Sequence, residues 1–203
     1  MNYIQFGPVT LPSGWISVLI GVFAVSLIFQ WFYKKELNWL INAFLLFILI
    51  WKLSYFIIDW EIAWKNPLSV LYFHGGKAGL AAGALGASVY IWLNDKRERI
   101  NLYDFAQSYA LFMFFYEISS LILSGRPGAV PIIQSAVILI GWRLIKTSNR
   151  KSGKEYLLQL VVLFGLVNLL FYSFRDLILA VPSYTHIWMV ALFLILYKRE
   201  AKN

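Results

Sequence analysis

The stretch Tyr72-Phe73-His74-Gly75-Gly76-Lys77-Ala78-Gly79 holds the densest chemistry in this chain. A helix opening at His74-Gly75-Gly76 presents its first backbone N–H groups with no side chains shielding them. The positive helix end behind them suits a phosphate. Lys77 adds a cation beside it. A histidine such as His74 can act as an acid or base at neutral pH. A lone histidine equally suits a hydrogen-bonded interfacial position, and both readings stand. Gly75, Gly79 and Gly83 recur at every fourth position with Ala87 next, a small-xxx-small stripe that lets another helix approach closely.

Other ionisable residues interrupt apolar runs, where a charge is costly and faces a bundle interior or a wet cavity. Lys52 is placed either to snorkel to a membrane surface or to meet an anion, since Asp59 follows within two turns. Glu117 lies about two turns from Gly125, too deep for its carboxylate to reach water. It is expected either to pair with a cation inside the bundle or to be protonated and hydrogen-bonded, with a functional role equally open. Asp104 opens an apolar run, where an anion suits the helix N-terminus. The chain has no cysteine and only two histidines, His74 and His186, far apart in sequence. Disulfides, thiol chemistry and a histidine-based metal site are therefore disfavoured, and no cofactor is expected.

These residues must be positioned by apolar segments, each close to the ~20 residues that cross a bilayer core. Spans are expected at Trp15–Tyr33, Leu37–Ile58, Gly76–Leu93, Tyr103–Leu123, Ala129–Leu144, Tyr156–Phe174 and Val181–Tyr197. Basic residues cluster after alternate spans. Lys34 and Lys35 follow the first, and Lys96, Arg97 and Arg99 the third. Arg143, Lys146, Arg150, Lys151 and Lys154 follow the fifth, and Lys198, Arg199 and Lys202 the seventh. The other side receives only Lys65, Arg126 and Arg175. This bias predicts an all-α membrane protein of about seven transmembrane helices, N-terminus outside and C-terminus cytoplasmic. No positive charge precedes the first apolar run, so that run reads as a retained span rather than a cleaved signal. Residues 1–203 read as a single polytopic membrane domain. The net charge of +8 sits in juxtamembrane clusters, which favours anionic lipid headgroups over nucleic acid. Trp15, Trp60, Trp64, Trp92 and Trp188 read as interfacial anchors.

Several motifs, in order, resemble the prolipoprotein diacylglyceryl transferases. Phe6-Gly7-Pro8-Val9-Thr10-Leu11 is similar to the Gly-Pro segment that leads into the first span of that family. Lys52-Leu53-Ser54-Tyr55 resembles its Arg-hydrophobic-x-Tyr, with Lys for Arg. Asn66-Pro67-Leu68, then His74-Gly75-Gly76-x-x-Gly79, is similar to its Asn-Pro-Leu and His-Gly-Gly-x-x-Gly. Asp104-Phe105, Arg126-Pro127 and Phe174-Arg175-Asp176 match later pieces more loosely. The resemblance covers about residues 5–110 well and thins beyond them. The family's Gly-Arg-x-Gly-Asn-Phe-x-Asn signature should fall near Tyr116–Gly125, where this chain has no arginine. A second family arginine falls at Asn168, and a family glutamate near Gln134. The family's extracytoplasmic head shrinks to about Ser124–Pro131.

The resemblance implies a bacterial plasma-membrane protein that moves a diacylglyceryl group from phosphatidylglycerol to the thiol of an exported prolipoprotein. It implies His74 as base or headgroup ligand, with Glu117 and Arg126 as replacements for the missing catalytic groups. Lys52, Tyr55, Gly75, Gly76, Lys77 and Arg175 would then hold the substrate, the cations on the departing phosphate. The missing arginines and head equally suit a catalytically inactive relative that binds an anionic phospholipid or a membrane partner through the glycine-rich third span. A solute transporter has little support, because no pair of broken helices or repeated halves is visible.

Overall fold

Within a bilayer every backbone N–H and C=O must be satisfied inside its own segment, so apolar runs of this length become helices. The computed structural model describes residues 3–6, 9–65, 76–125, 128–151, 153–177 and 180–201. Two short strands, β1 (Tyr3–Phe6) and β2 (Val9–Pro12), pair antiparallel with Phe6 opposite Val9 and Tyr3 opposite Pro12. The sequence reading did not anticipate this hairpin in an otherwise helical chain. Nine helices follow among the described residues: α1 (Ser13–Phe32), α2 (Asn38–Leu53), α3 (Tyr55–Ile58), α4 (Trp60–Lys65), α5 (Gly76–Glu98), α6 (Leu102–Ser124), α7 (Ala129–Lys151), α8 (Lys154–Phe174) and α9 (Val181–Glu200).

Six helical segments among the described residues are long and apolar enough to cross a membrane: α1, α2 continued through α3, and α6 to α9. The protein is an all-α membrane protein of several spans. The third expected span does form a helix, α5, but it is absent from those six. Its glycines and alanines, with Lys77 near one end, leave it less apolar than its neighbours.

The chain divides into two units: Met1–Lys34 with Ile100–Asn203, and Lys35–Arg99. In the larger unit α6 packs against α1, α7 and α9, and α8 packs against α7 and α9. Half of the apolar window of α6 is buried, against a third or less in the other candidate spans. Phe105, Ala106, Tyr109 and Ala110 of α6 are wholly inaccessible. Asn101 caps α6, its side-chain oxygen accepting from the N–H groups of Tyr103 and Asp104 at 2.9 and 3.3 Å. Asp104 thus sits in the first turn, where its charge meets the helix dipole, while the cap itself is Asn101. Gly125, at φ +61°, ends the helix in the left-handed conformation that glycine adopts freely.

In the smaller unit α2 and α5 run antiparallel, with Asn42 Nδ2 donating to the Tyr90 hydroxyl at 3.2 Å. A Cβ on Gly83 would lie 2.9 Å from the Phe47 carbonyl oxygen, and one on Gly79 3.2 Å from that of Trp51. Gly79 and Gly83 of the stripe therefore pack against α2 of the same chain. Glycine alone permits backbones to approach this closely.

Candidate functional site

Intramembrane polar side chains converge in the larger unit. Asn168, Tyr172 and Arg175 are spaced i, i+4, i+7 on α8 and its C-cap, and so share one helix face. That face meets Glu117 of α6 and Gln134 of α7. Arg175 Nη1 donates to Glu117 Oε2 at 2.8 Å and to Gln134 Oε1 at 2.8 Å. The Tyr172 hydroxyl donates to Glu117 Oε1. Gln134 Nε2 donates to Asn168 Oδ1 at 3.3 Å, and Asn168 Nδ2 to the Phe164 carbonyl at 2.8 Å. Gln134 and Asn168 are fully buried, and Glu117 is 2% exposed. The Arg175 side chain keeps 21% of its surface and is the most accessible member of the network.

This arrangement decides between the alternatives the sequence left for Glu117: it is ion-paired inside the bundle. Each of its carboxylate oxygens accepts one hydrogen bond, from Tyr172 and from Arg175, which fixes the carboxylate beside the guanidinium. Arg175 spends one nitrogen on two acceptors, and its Nε and Nη2 make no hydrogen bond to the described residues. A guanidinium held this way still offers donors to a planar anion such as phosphate.

A second buried cluster lies alongside. The Tyr109 hydroxyl of α6 bonds Nδ1 of His186 on α9. The rings of Tyr109, Phe164 and Tyr172 stand 5.6, 6.2 and 5.4 Å from the imidazole centre.

The other expected site residues fall elsewhere. Lys52, Tyr55, Gly76 and Lys77 belong to the smaller unit, near one end of the α2–α5 pair, where Gly79 packs on Trp51 and Ser54. Tyr55 is buried, Lys52 is half-buried with its ammonium 5.6 Å from the Trp51 ring, and Lys77 is exposed. Gly76 opens α5 at φ +56°. His74, Gly75 and Arg126 lie outside the described residues. The sequence reading missed Tyr109, Tyr172 and His186 as members of a cluster. A helical-wheel reading of α8 would have put Asn168, Tyr172 and Arg175 on a polar stripe in an otherwise apolar span.

No protein-family model matches the chain, and neither does any curated protein or solved structure. The fold and the site define its class: an all-α, multi-pass membrane protein with a hydrogen-bonded ionic network buried among its helices.

Proposed function

We propose that the chain is a divergent, shortened protein of the prolipoprotein diacylglyceryl transferase type. In this reading it has seven spans, counting α5, with its N-terminus outside and its C-terminus in the cytoplasm of a bacterium. It takes phosphatidylglycerol at the outer leaflet and transfers the diacylglyceryl group to the thiol of an exported prolipoprotein or to another nucleophile. The basic clusters after alternate spans support the orientation. One observation carries the reading. Arg175, which matches a family motif, and Gln134 and Asn168, which stand where the family has a glutamate and an arginine, are joined with the candidate replacement Glu117 in one buried network. Arg175 is the most accessible member of that network, and a departing phosphate needs a cation. The family resemblance offers Lys52, Lys77 and Arg126 as further candidate phosphate-binding cations and His74 as candidate base or headgroup ligand.

A second reading is favoured by the neutralisation of Arg175 by Glu117. Amides at two positions where the family has charged groups point the same way. In it, the protein binds the anionic lipid without turning it over.

Native mass spectrometry of the detergent-purified protein, beside Lys77→Ala, tests the binding common to both readings. Incubation with labelled phosphatidylglycerol and a lipobox peptide then separates them. Retained lipid that Lys77→Ala loses, together with a diacylated peptide that His74→Ala fails to make, supports the transferase. Retained lipid without product supports the binding protein. No specific lipid removes both.

A further inference from the structure

The Tyr109–His186 pair is one acceptor short. A phenol and a neutral imidazole carry two polar hydrogens between them, and their single hydrogen bond uses one. If Tyr109 donates, the Nε2–H of His186 is left over. If Nδ1–H donates, the Tyr109 hydroxyl hydrogen is left over. Both side chains are fully buried, and Nε2 has no hydrogen-bond partner among the described residues. Buried donors are seldom left orphaned in native structures. The neighbouring rings of Phe164 and Tyr172 crowd the imidazole, so the missing acceptor must be small. Tyr172, whose ring centre lies 5.4 Å from that of His186, supplies a second polar partner nearby. Its hydroxyl hydrogen is committed to Glu117, which leaves the oxygen lone pairs free to accept.

We propose that a buried water sits against His186 Nε2, accepting from it and donating to the Tyr172 hydroxyl oxygen. The two polar clusters then form one chain of donors. It runs from Tyr109 through His186, the water and Tyr172 to the Glu117 carboxylate, which Arg175 neutralises. Every donor in the chain points towards Glu117. A water with two polar partners in a site of this kind is an ordinary structural component of a buried polar core. His186 is a positioning residue: it acts through Tyr172 on the geometry of Glu117 and Arg175. The inference stands whether or not lipid is transferred.

The test uses the full chain in lipid nanodiscs with 15N-labelled histidine, which gives two imidazoles. His74→Gln removes one and so assigns the other. The expected result is a single Nε2–H tautomer for His186 with magnetisation transfer from water. Tyr172→Phe keeps the ring and removes the acceptor, and it abolishes that transfer. Three results would overturn the proposal. One is an Nδ1–H tautomer. The second is an Nε2–H signal with no water contact, shifted upfield by a bond to the face of a neighbouring ring. The third is a water contact undiminished in Tyr172→Phe. Should Tyr172→Phe fail to fold, Tyr109→Phe carries the test, because it removes the Nδ1 bond and leaves the water site. A retained water contact there supports the proposal, and its loss overturns it.

Discussion

Removing Arg175 should cost more than removing the charge of Glu117, even though the two share one ion pair. The reason is their unequal burial. Glu117 is 2% exposed and the Arg175 side chain 21%. In Arg175→Met the carboxylate stays in the bundle with only the Tyr172 hydroxyl for company, and Gln134 Oε1 loses its donor as well. Breaking a buried pair from the side that strands the other charge costs about 3–5 kcal/mol. In Glu117→Gln the arginine keeps Gln134 and an amide oxygen, and its side chain, 21% accessible, can draw in water or a lipid phosphate. A loss of about 1–2 kcal/mol is expected there, the scale of one weakened hydrogen bond. The double variant should be more stable than Arg175→Met alone, because no charge is left uncompensated. Reversible unfolding in mixed micelles, followed by far-UV circular dichroism on all four proteins, measures the cycle. Equal losses for the two single variants, or a double variant no better than Arg175→Met, would refute the account of Glu117 as the stranded charge.

Gly83→Leu should separate α2 from α5, since even a Cβ there meets the Phe47 carbonyl at 2.9 Å. Overpacking of this kind costs about 1–3 kcal/mol, read as a lower unfolding midpoint and faster proteolysis within residues 35–99. Asn168→Leu removes the acceptor for Gln134 Nε2 in a wholly buried spot, and a loss of about 1–3 kcal/mol is expected in the same unfolding assay. Glu200→Gln, by contrast, should change stability by under about 1 kcal/mol, because its pairing with Lys154 at 2.7 Å is between exposed side chains. The chain has no cysteine, so single cysteines report topology directly. In intact cells a membrane-impermeant maleimide should label Trp64→Cys and leave Arg97→Cys untouched, and the opposite pattern would reverse the proposed orientation.

Most of the helical architecture was legible in the amino-acid order. Apolar runs bounded by charge have no alternative to helix in a bilayer, and the structure places helices at all seven expected spans. The boundaries moved by a few residues, most at Ala129–Lys151, whose polar last turns continue the helix beyond the apolar run. The hairpin at Tyr3–Phe6 and Val9–Pro12 escaped because hydropathy carries no strand signal over four residues. Composition also marked Glu117 as buried and in need of a partner, since a lone carboxylate in an apolar run cannot stay uncompensated. Its partner could not be read that way. Arg175 lies 58 residues away in sequence, and only the packing of α6, α7 and α8 brings it, Gln134 and Tyr172 to the same carboxylate. The glycine stripe gives the complementary lesson. Its spacing declared a close helix contact, but whether α2 or another protein fills it depends on which helices meet. Residue types and local periodicity set what each segment must become and which groups need partners. The tertiary structure alone supplied the partners, because hydrogen bonds and ion pairs between helices depend on crossing geometry that no local pattern encodes.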